Sequence, residues 1–357
     1  MTKIAGLSFT AAAVAGTLIV TGAVQAKTVK ITVAAAPPPM VTFVAAFKNI
    51  VSKKIDARLA AEGKGFKIKW NHAYTQQVAK FHEVFEAVEE GIAGAGLLLK
   101  NFEPSNLPLE AYAVYTPFVS PTRAQLVEID AKLRKMIPEM NAAYTRHDQV
   151  FIVSGINDSM QMMTKFPLTK VSDLKGRKIG TSGSFGQWIR GTQSTSVTSS
   201  MNQSYTNIKN GVYEGYPIGY ILGFIYKTYS VAPYVTKVEF GPTTSSAISF
   251  NTSMWKSLPG HVQKIIREES AKWPAYQNMI DNKKRAKFIG IMKKKGAKFS
   301  VLSAAERTKW ATQMPNIAKE WAARMEKKGL PGNKLLTAYM DELRSRNVVI
   351  SRQWDRN

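Results

Sequence analysis

The sequence predicts an α/β protein that folds into two lobes, and three observations favour this class. From residue 29 onward, strand-like alternation precedes helix-like spacing repeatedly, an order typical of parallel sheets with right-handed crossovers. The chain from residue 27 to residue 357 is long enough for two separate cores. Neither an internal repeat nor a low-complexity linker interrupts it, so we expect lobes joined by crossing strands rather than tethered domains.

The first lobe is predicted to hold residues 27–156 together with about 244–285. Its first strand alternates as VKITV, and three successive prolines then turn the chain into a helix with apolar residues at helical spacing. The predicted elements are a strand at 29–33, a helix at about 41–62, a strand at 66–72, a helix at 80–91, a strand at 93–99 and an outgoing strand at 149–155.

The second lobe is predicted to hold residues 157–243 together with about 286–357. A long helical pattern from 258 to 295 contains Pro274, which we expect to kink or break that helix because proline lacks the N–H of the helical hydrogen bond. The other predicted elements are a turn and strand at 172–180, a helix near 200–210, the segment 213–234, a returning strand at 247–251 and closing helices at 303–328 and 335–346.

Residues 1–26 carry the pattern of a cleavable secretory signal. Lys3 supplies the positive start, residues 4–20 are apolar and rich in alanine, and small residues precede the cleavage position after Ala26. An uncleaved anchor is the alternative, but the apolar stretch is short for a spanning helix. No cysteine follows it, which excludes a lipid anchor. We therefore expect a periplasmic protein that is not embedded in a membrane.

The composition restricts the partners and the chemistry. The chain has no cysteine, which excludes disulfides, thiolate metal sites and cysteine nucleophiles. Its net charge of +24 favours anionic partners, but export and the lack of a binding module argue against nucleic acid. The four histidines show no metal-ligand spacing, and no catalytic triad motif is recognisable. We expect no metal, no cofactor and no enzyme activity.

Three blocks of the sequence resemble a known family in their order and spacing. They are SDLKGRKIG at 172–180, YTNIKNGVYEG at 205–215 and FIYKTYSVAPYVT at 224–236. They are similar to the blocks D-L-K-G-x-K-I-R, Y-x-A-L-Q-x-G-V-V-D-G and K-x-Y-E-V-A-x-Y-V-T of the DctP-type solute-binding proteins of TRAP transporters. The resemblance implies a two-lobed periplasmic binding protein, type II-like, with the ligand cleft between the lobes and a long helix near the C-terminal third.

The sequence departs from this family where many members clamp a substrate carboxylate. Gly180 and Met160 stand at two positions that are usually arginine, and Ile218 lies near a position that is usually asparagine. Soft and aromatic residues surround these positions: Trp188, Met201, Tyr213, Tyr216 and Tyr220. Such side chains suit an irregular apolar or aromatic body. The departures therefore indicate a bulky or aromatic monoacid rather than a C4 dicarboxylate; the alternative is that several of these side chains fill the core.

Two loops are further candidates for contacts with the solute. After the strand that ends at Gly180, Thr181 and Ser184 lie in a glycine-rich loop whose backbone amides could hold an anion; a flexible surface turn is the alternative. In the first lobe, Tyr74 and Gln76 follow a strand end, where α/β folds place ligands, and could donate hydrogen bonds to a polar substituent. Two other candidate anchors for an anion are Arg190 and Lys165.

The function that the resemblance implies is that of a receptor for a small organic solute, which it presents to the membrane subunits of a TRAP transporter. A second hypothesis keeps the fold but makes the protein a sensor for a membrane signalling receptor. A third, an exported enzyme on a related scaffold, is disfavoured because the sequence has no histidine pair or carboxylate dyad.

Overall fold

A computed structural model describes residues 1–2 and 27–356 of the chain, and most of the predicted signal lies outside these residues. The strands are β1 (Lys27–Ala35), β2 (Phe66–Tyr74), β3 (Ala95–Leu99), β4 (Gln149–Asn157), β5 (Gln161–Thr164), β6 (Lys178–Thr181), β7 (Thr195–Thr198), β8 (Gly215–Ile218), β9 (Tyr234–Lys237), β10 (Thr243–Asn251) and β11 (Lys298–Val301).

The helices are α1 (Thr42–Ala46), α2 (Ser52–Ala61), α3 (Val84–Glu89), α4 (Arg123–Met136), α5 (Glu139–Arg146), α6 (Ser204–Lys209), α7 (Tyr220–Ile225), α8 (Thr228–Val231), α9 (Thr252–Ser257), α10 (Gly260–Ser270), α11 (Trp273–Lys294), α12 (Ala304–Gln313), α13 (Ile317–Glu326) and α14 (Gly332–Ser345). A π-helical turn over Phe47–Val51 joins α1 to α2, so the predicted helix at 41–62 is one continuous element.

The first sheet has five strands in the order β2-β1-β3-β10-β4. β1 pairs in parallel with β2 and β3, as the alternation of strands and helices predicts. β10 arrives from the other half of the chain and pairs antiparallel with β3 and β4. All nine residues of β10 are buried, because it lies between two strands and under helices on both faces. The first sheet is therefore mixed rather than wholly parallel.

The second sheet has six strands in the order β11-β9-β5-β8-β6-β7. Three connections pass between the sheets: residues 158–160 after β4, residues 238–242 before β10, and the helices from α9 to α11 before β11. The protein thus has two α/β layers joined by crossing segments, and the predicted fold class is confirmed. The exact residue bounds of the two lobes stay a prediction.

Proline positions explain where several helices begin and end. The predicted break at Pro274 is confirmed: α10 ends at Ser270, and Pro274 lies in the first turn of α11. Backbone N–H groups of the first turn have no acceptor within the helix, so proline, which has no N–H, is tolerated at this position. The predicted helix at 303–328 is divided into α12 and α13 around Pro315. The predicted helix at 80–91 begins only at Val84. No helix in the described ranges is long and apolar enough to cross a membrane.

Candidate functional site

A cavity of about 100 Å³ lies between the two sheets, where several strands reach their carboxyl ends. The chain contributes to it after β1, after β3, at the end of β4, and in the loops that follow β6 and β8. The helices α1 and α11 close its sides. Ligands of open α/β sheets bind at this edge, so the cavity is the candidate site.

Apolar and aromatic side chains form most of the cavity wall. They are Val41, Phe43, Phe81, Leu99, Phe102, Ile156, Met160, Phe185, Met201, Tyr220, Ile221, Leu222 and Tyr226. Aromatic rings and methionines adapt to the flat or irregular body of an organic molecule. Tyr220 is nearly buried, and this burial raises the pKa of its hydroxyl to about 12, so it is a neutral hydrogen-bonding group at physiological pH.

The charged side chains that line the cavity, among the residues described, are Asp158 and Asp281. Asp158 directly follows β4 and forms ion pairs with Arg285 at 2.6 Å and with Arg123 at 3.3 Å. Arg123, the first residue of α4, also pairs with Asp281. Burial raises the pKa of Asp281, and the neighbouring guanidinium of Arg123 opposes this shift. The carboxylates thus face the cavity and the arginines lie outside its wall, in a cluster without net charge.

Gln277 lies one helical turn before Asp281 on α11 and lines the same side of the cavity. Its Oε1 accepts from the backbone N–H of Ile156 at 3.1 Å. Its Nε2 is buried and has no hydrogen-bond partner within the described part of the chain. Two neutral polar residues, Asn101 and Ser200, line other parts of the cavity.

Three residues predicted to contact the solute line the cavity: Met160, Met201 and Tyr220. Their side chains come from the segment that follows β4, the turn before α6 and the start of α7. The structure thus brings together residues that are 60 positions apart in the sequence.

Gly180 and Tyr213 form an interlocked pair beside the cavity rather than in its wall. A Cβ on Gly180 would lie 2.5 Å from the ring of Tyr213, so the position requires glycine. The Tyr213 hydroxyl is 3.0 Å from Ser199 Oγ, and Tyr216 donates to the Ser199 carbonyl at 2.6 Å. The space beside the strand at Gly180 is therefore filled by a tyrosine ring, which leaves no room for an arginine.

The other predicted residues of the second sheet lie outside the cavity wall. Trp188 is fully buried, stacks on Phe240 with ring centroids 4.5 Å apart, and donates to the Val114 carbonyl. Thr181 Oγ1 is 2.8 Å from Ser196 Oγ, and Ser184 lies in the 3₁₀ turn Gly183–Ile189. Only Phe185 of this turn reaches the cavity, within the described chain.

The remaining candidates also lie away from the cavity. The Tyr74 hydroxyl is 2.7 Å from His72 Nδ1, and Gln76 is exposed with φ 60. Arg190 forms an ion pair with Glu320 at 2.5 Å, and Lys165 is exposed. No group of three or more His, Cys, Asp or Glu residues that could hold a metal occurs in the described ranges.

The sequence reasoning missed Asp158, Gln277 and Asp281. Asp158 follows a long strand, and a carboxylate at a strand end is a recognisable signal. Gln277 and Asp281 are four residues apart, which places two polar side chains on one face of a helix. What the sequence did not contain was the direction in which that face points.

The fold and the cavity are those of a two-lobed periplasmic solute-binding protein. The fold is shared by a TRAP periplasmic solute-binding protein from Desulfovibrio salexigens with bound orotic acid; the TM-score is 0.76, the identity is 19%, and the match covers 88% of this chain and 99% of that one. It is also shared by DctP6 from Bordetella pertussis, a receptor binding pyroglutamic acid, with a TM-score of 0.74, 18% identity and coverage of 88% of this chain and 100% of that one. A TRAP solute-binding protein from Rhodoferax ferrireducens with copurified benzoate has a TM-score of 0.76, 13% identity and coverage of 89% of this chain and 98% of that one. The chain belongs to the bacterial extracellular solute-binding protein family 7, DctP, whose profile matches residues 39–325.

The predicted family is therefore confirmed. Comparison with curated proteins found no match. Family 7 consists of solute receptors, not of enzymes, and its members are periplasmic.

Proposed function

We propose that this protein is the receptor of a TRAP-type secondary transporter and carries a small organic solute to the transporter's membrane subunits. The observation that carries this proposal is the apolar cavity between two sheets that are joined by three crossing segments. Such a connection allows the two layers to close over a solute by a hinge motion. The predicted signal at 1–26 would deliver the protein to the periplasm.

The proposed ligand is a bulky or aromatic monoacid rather than a C4 dicarboxylate. Two carboxylates already line the cavity, and among the described lining residues none is Lys, Arg or His. The arginines that neutralise these carboxylates lie outside the wall, so both carboxylates of a dianion would be buried without a cation in contact with them, which disfavours binding. A single carboxylate has neutral donors available at Asn101 and Ser200. Proteins of the same fold bind orotic acid, pyroglutamic acid and benzoate, which are ring monoacids.

Calorimetric titration of the purified protein tests this proposal. The panel contains succinate and malate as C4 dicarboxylates and benzoate, orotate and pyroglutamate as ring monoacids. We expect at least one monoacid to bind with a Kd in the micromolar range or below and the dicarboxylates to bind at least about tenfold more weakly. Tight binding of a dicarboxylate without binding of any monoacid contradicts the proposed ligand class.

Mass spectrometry of the protein after gentle purification identifies a retained solute directly. We expect a ring-containing acid with one carboxylate. Conversion of the retained solute into a product during incubation with the protein would contradict the receptor function and favour an enzyme.

A further inference from the structure

One exposed face of helix α11 carries lysines with no acidic residue among them. Lys287 and Lys294 follow Lys283 by four and eleven positions, so at 3.6 residues per turn the three lie within an arc of about 40° and along about 16 Å of the helix. All three side chains are exposed. The chain has neither Asp nor Glu at 282–305, so the rest of α11 and the whole of β11 carry no negative side chain.

The end of α11 adds two lysines and two apolar side chains to this face. Lys293 and Lys295 are exposed, and the Lys293 ammonium lies 5.4 Å from the centre of the Phe299 ring. Phe299 and Val301 are two positions apart on β11 and therefore point to the same side of that strand. Val301 is 71% exposed. The surface that we name the α11 surface consists of Lys283, Lys287, Lys293, Lys294, Lys295, Phe299 and Val301.

The ammonium groups of the α11 surface have no carboxylate partner within the described chain. None of the five lysines forms an ion pair there. Two neighbouring basic residues differ in this respect: Arg285 pairs with Asp158, and Lys284 donates to the Met40 carbonyl. Like charges at this spacing on a helix repel each other, so the surface favours an anionic partner.

The composition of the α11 surface suits lipid headgroups better than a protein partner. Protein interfaces are depleted in lysine and enriched in arginine, whose planar fork matches partners of fixed geometry. A lysine ammonium is a point charge on a flexible stem, so it can follow phosphates that move in the plane of a membrane. Clusters of about 4–8 basic residues on a helix are typical of surfaces that bind anionic lipids, and apolar side chains beside them enter the headgroup layer.

We propose that the α11 surface docks the protein onto membranes that contain anionic phospholipids. The lysines lie over headgroup phosphates, and Phe299 and Val301 contact the apolar boundary beneath them. Asp281, in the cavity wall, is about 160° around α11 from Lys283, so the docked face of the helix is not the face that lines the cavity. This docking goes beyond the proposed function and holds the receptor near the membrane that contains the transporter.

Co-sedimentation with vesicles tests the proposal. The protein is purified from the periplasm, so that the apolar predicted signal at 1–26 does not contribute to binding. The vesicles contain either phosphatidylcholine alone or phosphatidylcholine and phosphatidylglycerol in equal amounts. We expect the protein to bind only the vesicles with phosphatidylglycerol, and to be released when NaCl is raised from about 0.02 M to about 0.5 M, because salt screens exposed charges.

Two double variants of the same net charge separate the α11 surface from the general charge of the protein. For Lys293→Gln/Lys294→Gln we expect the partition coefficient onto the anionic vesicles to fall at least about tenfold, since each lysine near the membrane contributes. The matched control is Lys53→Gln/Lys54→Gln, which alters two adjacent exposed lysines of α2. We expect its partition coefficient to change less than about twofold, because these lysines lie outside the docked surface.

Amine labelling of the unaltered chain gives an independent measurement. Anionic vesicles should slow the acetylation of Lys293, Lys294 and Lys295 and leave that of Lys53 and Lys54 unchanged. Mass spectrometry of the labelled peptides measures both rates. Thermal melting checks the fold of the two variants; if Lys293→Gln/Lys294→Gln does not fold, the labelling result decides.

The possible results distinguish lipid docking from its alternatives. Absence of binding to the anionic vesicles, equal binding to phosphatidylcholine alone, or an equal fall for both variants overturns the proposal. If the two variants differ only in binding to polyglutamate and not to vesicles, the surface belongs to an acidic protein partner, which also overturns it. Calorimetric affinity for the solute should be the same in all three proteins, so the proposed function is tested separately.

Discussion

Two clusters of charged side chains with the same balance of acids and bases lie in very different surroundings. One contains Lys100, Glu110, Asp130 and Arg134 and is sealed under the first sheet, and we call it the core cluster. The other contains Arg123, Asp158, Asp281 and Arg285 beside the cavity, and we call it the cavity cluster. Each has two acids and two bases.

In the core cluster every charge is met by several hydrogen bonds. Arg134 donates to Asp130 at 2.9 Å, to Glu110 at 2.6 Å and to Ser154 at 3.1 Å. Lys100 donates to Glu110 at 2.6 Å and to Ser154 at 3.0 Å. Despite burial, the charges of Asp130 and Glu110 hold the pKa of Arg134 above its usual value. None of the buried polar atoms of these four side chains lacks a hydrogen-bond partner, so this cluster serves the fold.

The cavity cluster leaves one side of each carboxylate toward the cavity. Asp158 and Arg285 are also partly exposed, with 26% and 33% of their side-chain surfaces accessible. The comparison shows that charge balance alone does not separate a structural cluster from a binding wall. A binding wall differs from a structural cluster in two respects: its charged groups are exposed toward a cavity, and part of their hydrogen-bonding capacity is unused.

The largest loss of stability is expected for Arg134→Met in the core cluster. Removal of this guanidinium leaves buried Glu110 and Asp130 with one cation, and breaking such a buried pair costs about 3–5 kcal/mol of stability. Urea unfolding measures the loss, with Arg146→Met, on an exposed part of α5, as the control. A loss no larger than that of the control would show that the core cluster is not structural.

A medium loss of stability is expected for Gly183→Ala, where the 3₁₀ turn after β6 meets the 3₁₀ turn after β3. Gly183 has φ +52, and an added Cβ would lie 2.8 Å from the backbone oxygen of Asn101. The left-handed conformation and the collision together should cost about 1–3 kcal/mol. Because Asn101 lines the cavity, solute affinity should fall as well; unchanged affinity and melting temperature contradict this prediction.

Glu103 belongs to neither cluster and directly follows the 3₁₀ turn that holds Lys100 and Phe102. Burial raises the pKa of its carboxyl to about 7, and a hydrogen bond from Asn106 only partly opposes this. The folded protein therefore favours the protonated form, and stability should fall as the pH rises from 4.5 through about 7.

Glu103→Gln tests this pH dependence, because glutamine keeps the shape of the protonated acid. Unfolding free energies at about pH 5 and pH 8 should differ less in the variant than in the unaltered chain. An identical difference in both proteins would assign the pH dependence to other groups.

The smallest change in stability is expected for Asp158→Asn in the cavity cluster. The ion pairs of Asp158 are partly open to solvent, so their loss should cost about 1 kcal/mol or less. Solute affinity, measured by calorimetry, should change more than stability does. A loss of stability as large as that of Arg134→Met would remove the distinction between the two clusters.

Much of the fold was predictable because its signals are local. The alternation of β1, the helix after the proline turn and the break at Pro274 depend on neighbouring residues, and the structure contains all three. The sequence blocks at 172–180 and 205–215, which resemble those of the family, likewise indicated the class of protein. Two helices of the first half, α4 and α5, had not been predicted.

The site was less predictable because its residues meet only through long-range packing. Met160, Met201 and Tyr220 were expected and line the cavity, but Trp188, Tyr213 and Tyr216 are equally aromatic and lie outside it. Residue type cannot distinguish them, since an aromatic ring is as suitable for a core as for a pocket.

By itself, the sequence determined the class of protein, the order of most strands and helices, and the absence of the family's two usual arginines at Met160 and Gly180. Only the tertiary structure decided that the Tyr213 ring fills the space beside Gly180 and that Gln277 and Asp281 face the cavity. The physical reason is range: turns, caps and periodicity act over a few residues, whereas a cavity wall is assembled by packing between distant segments.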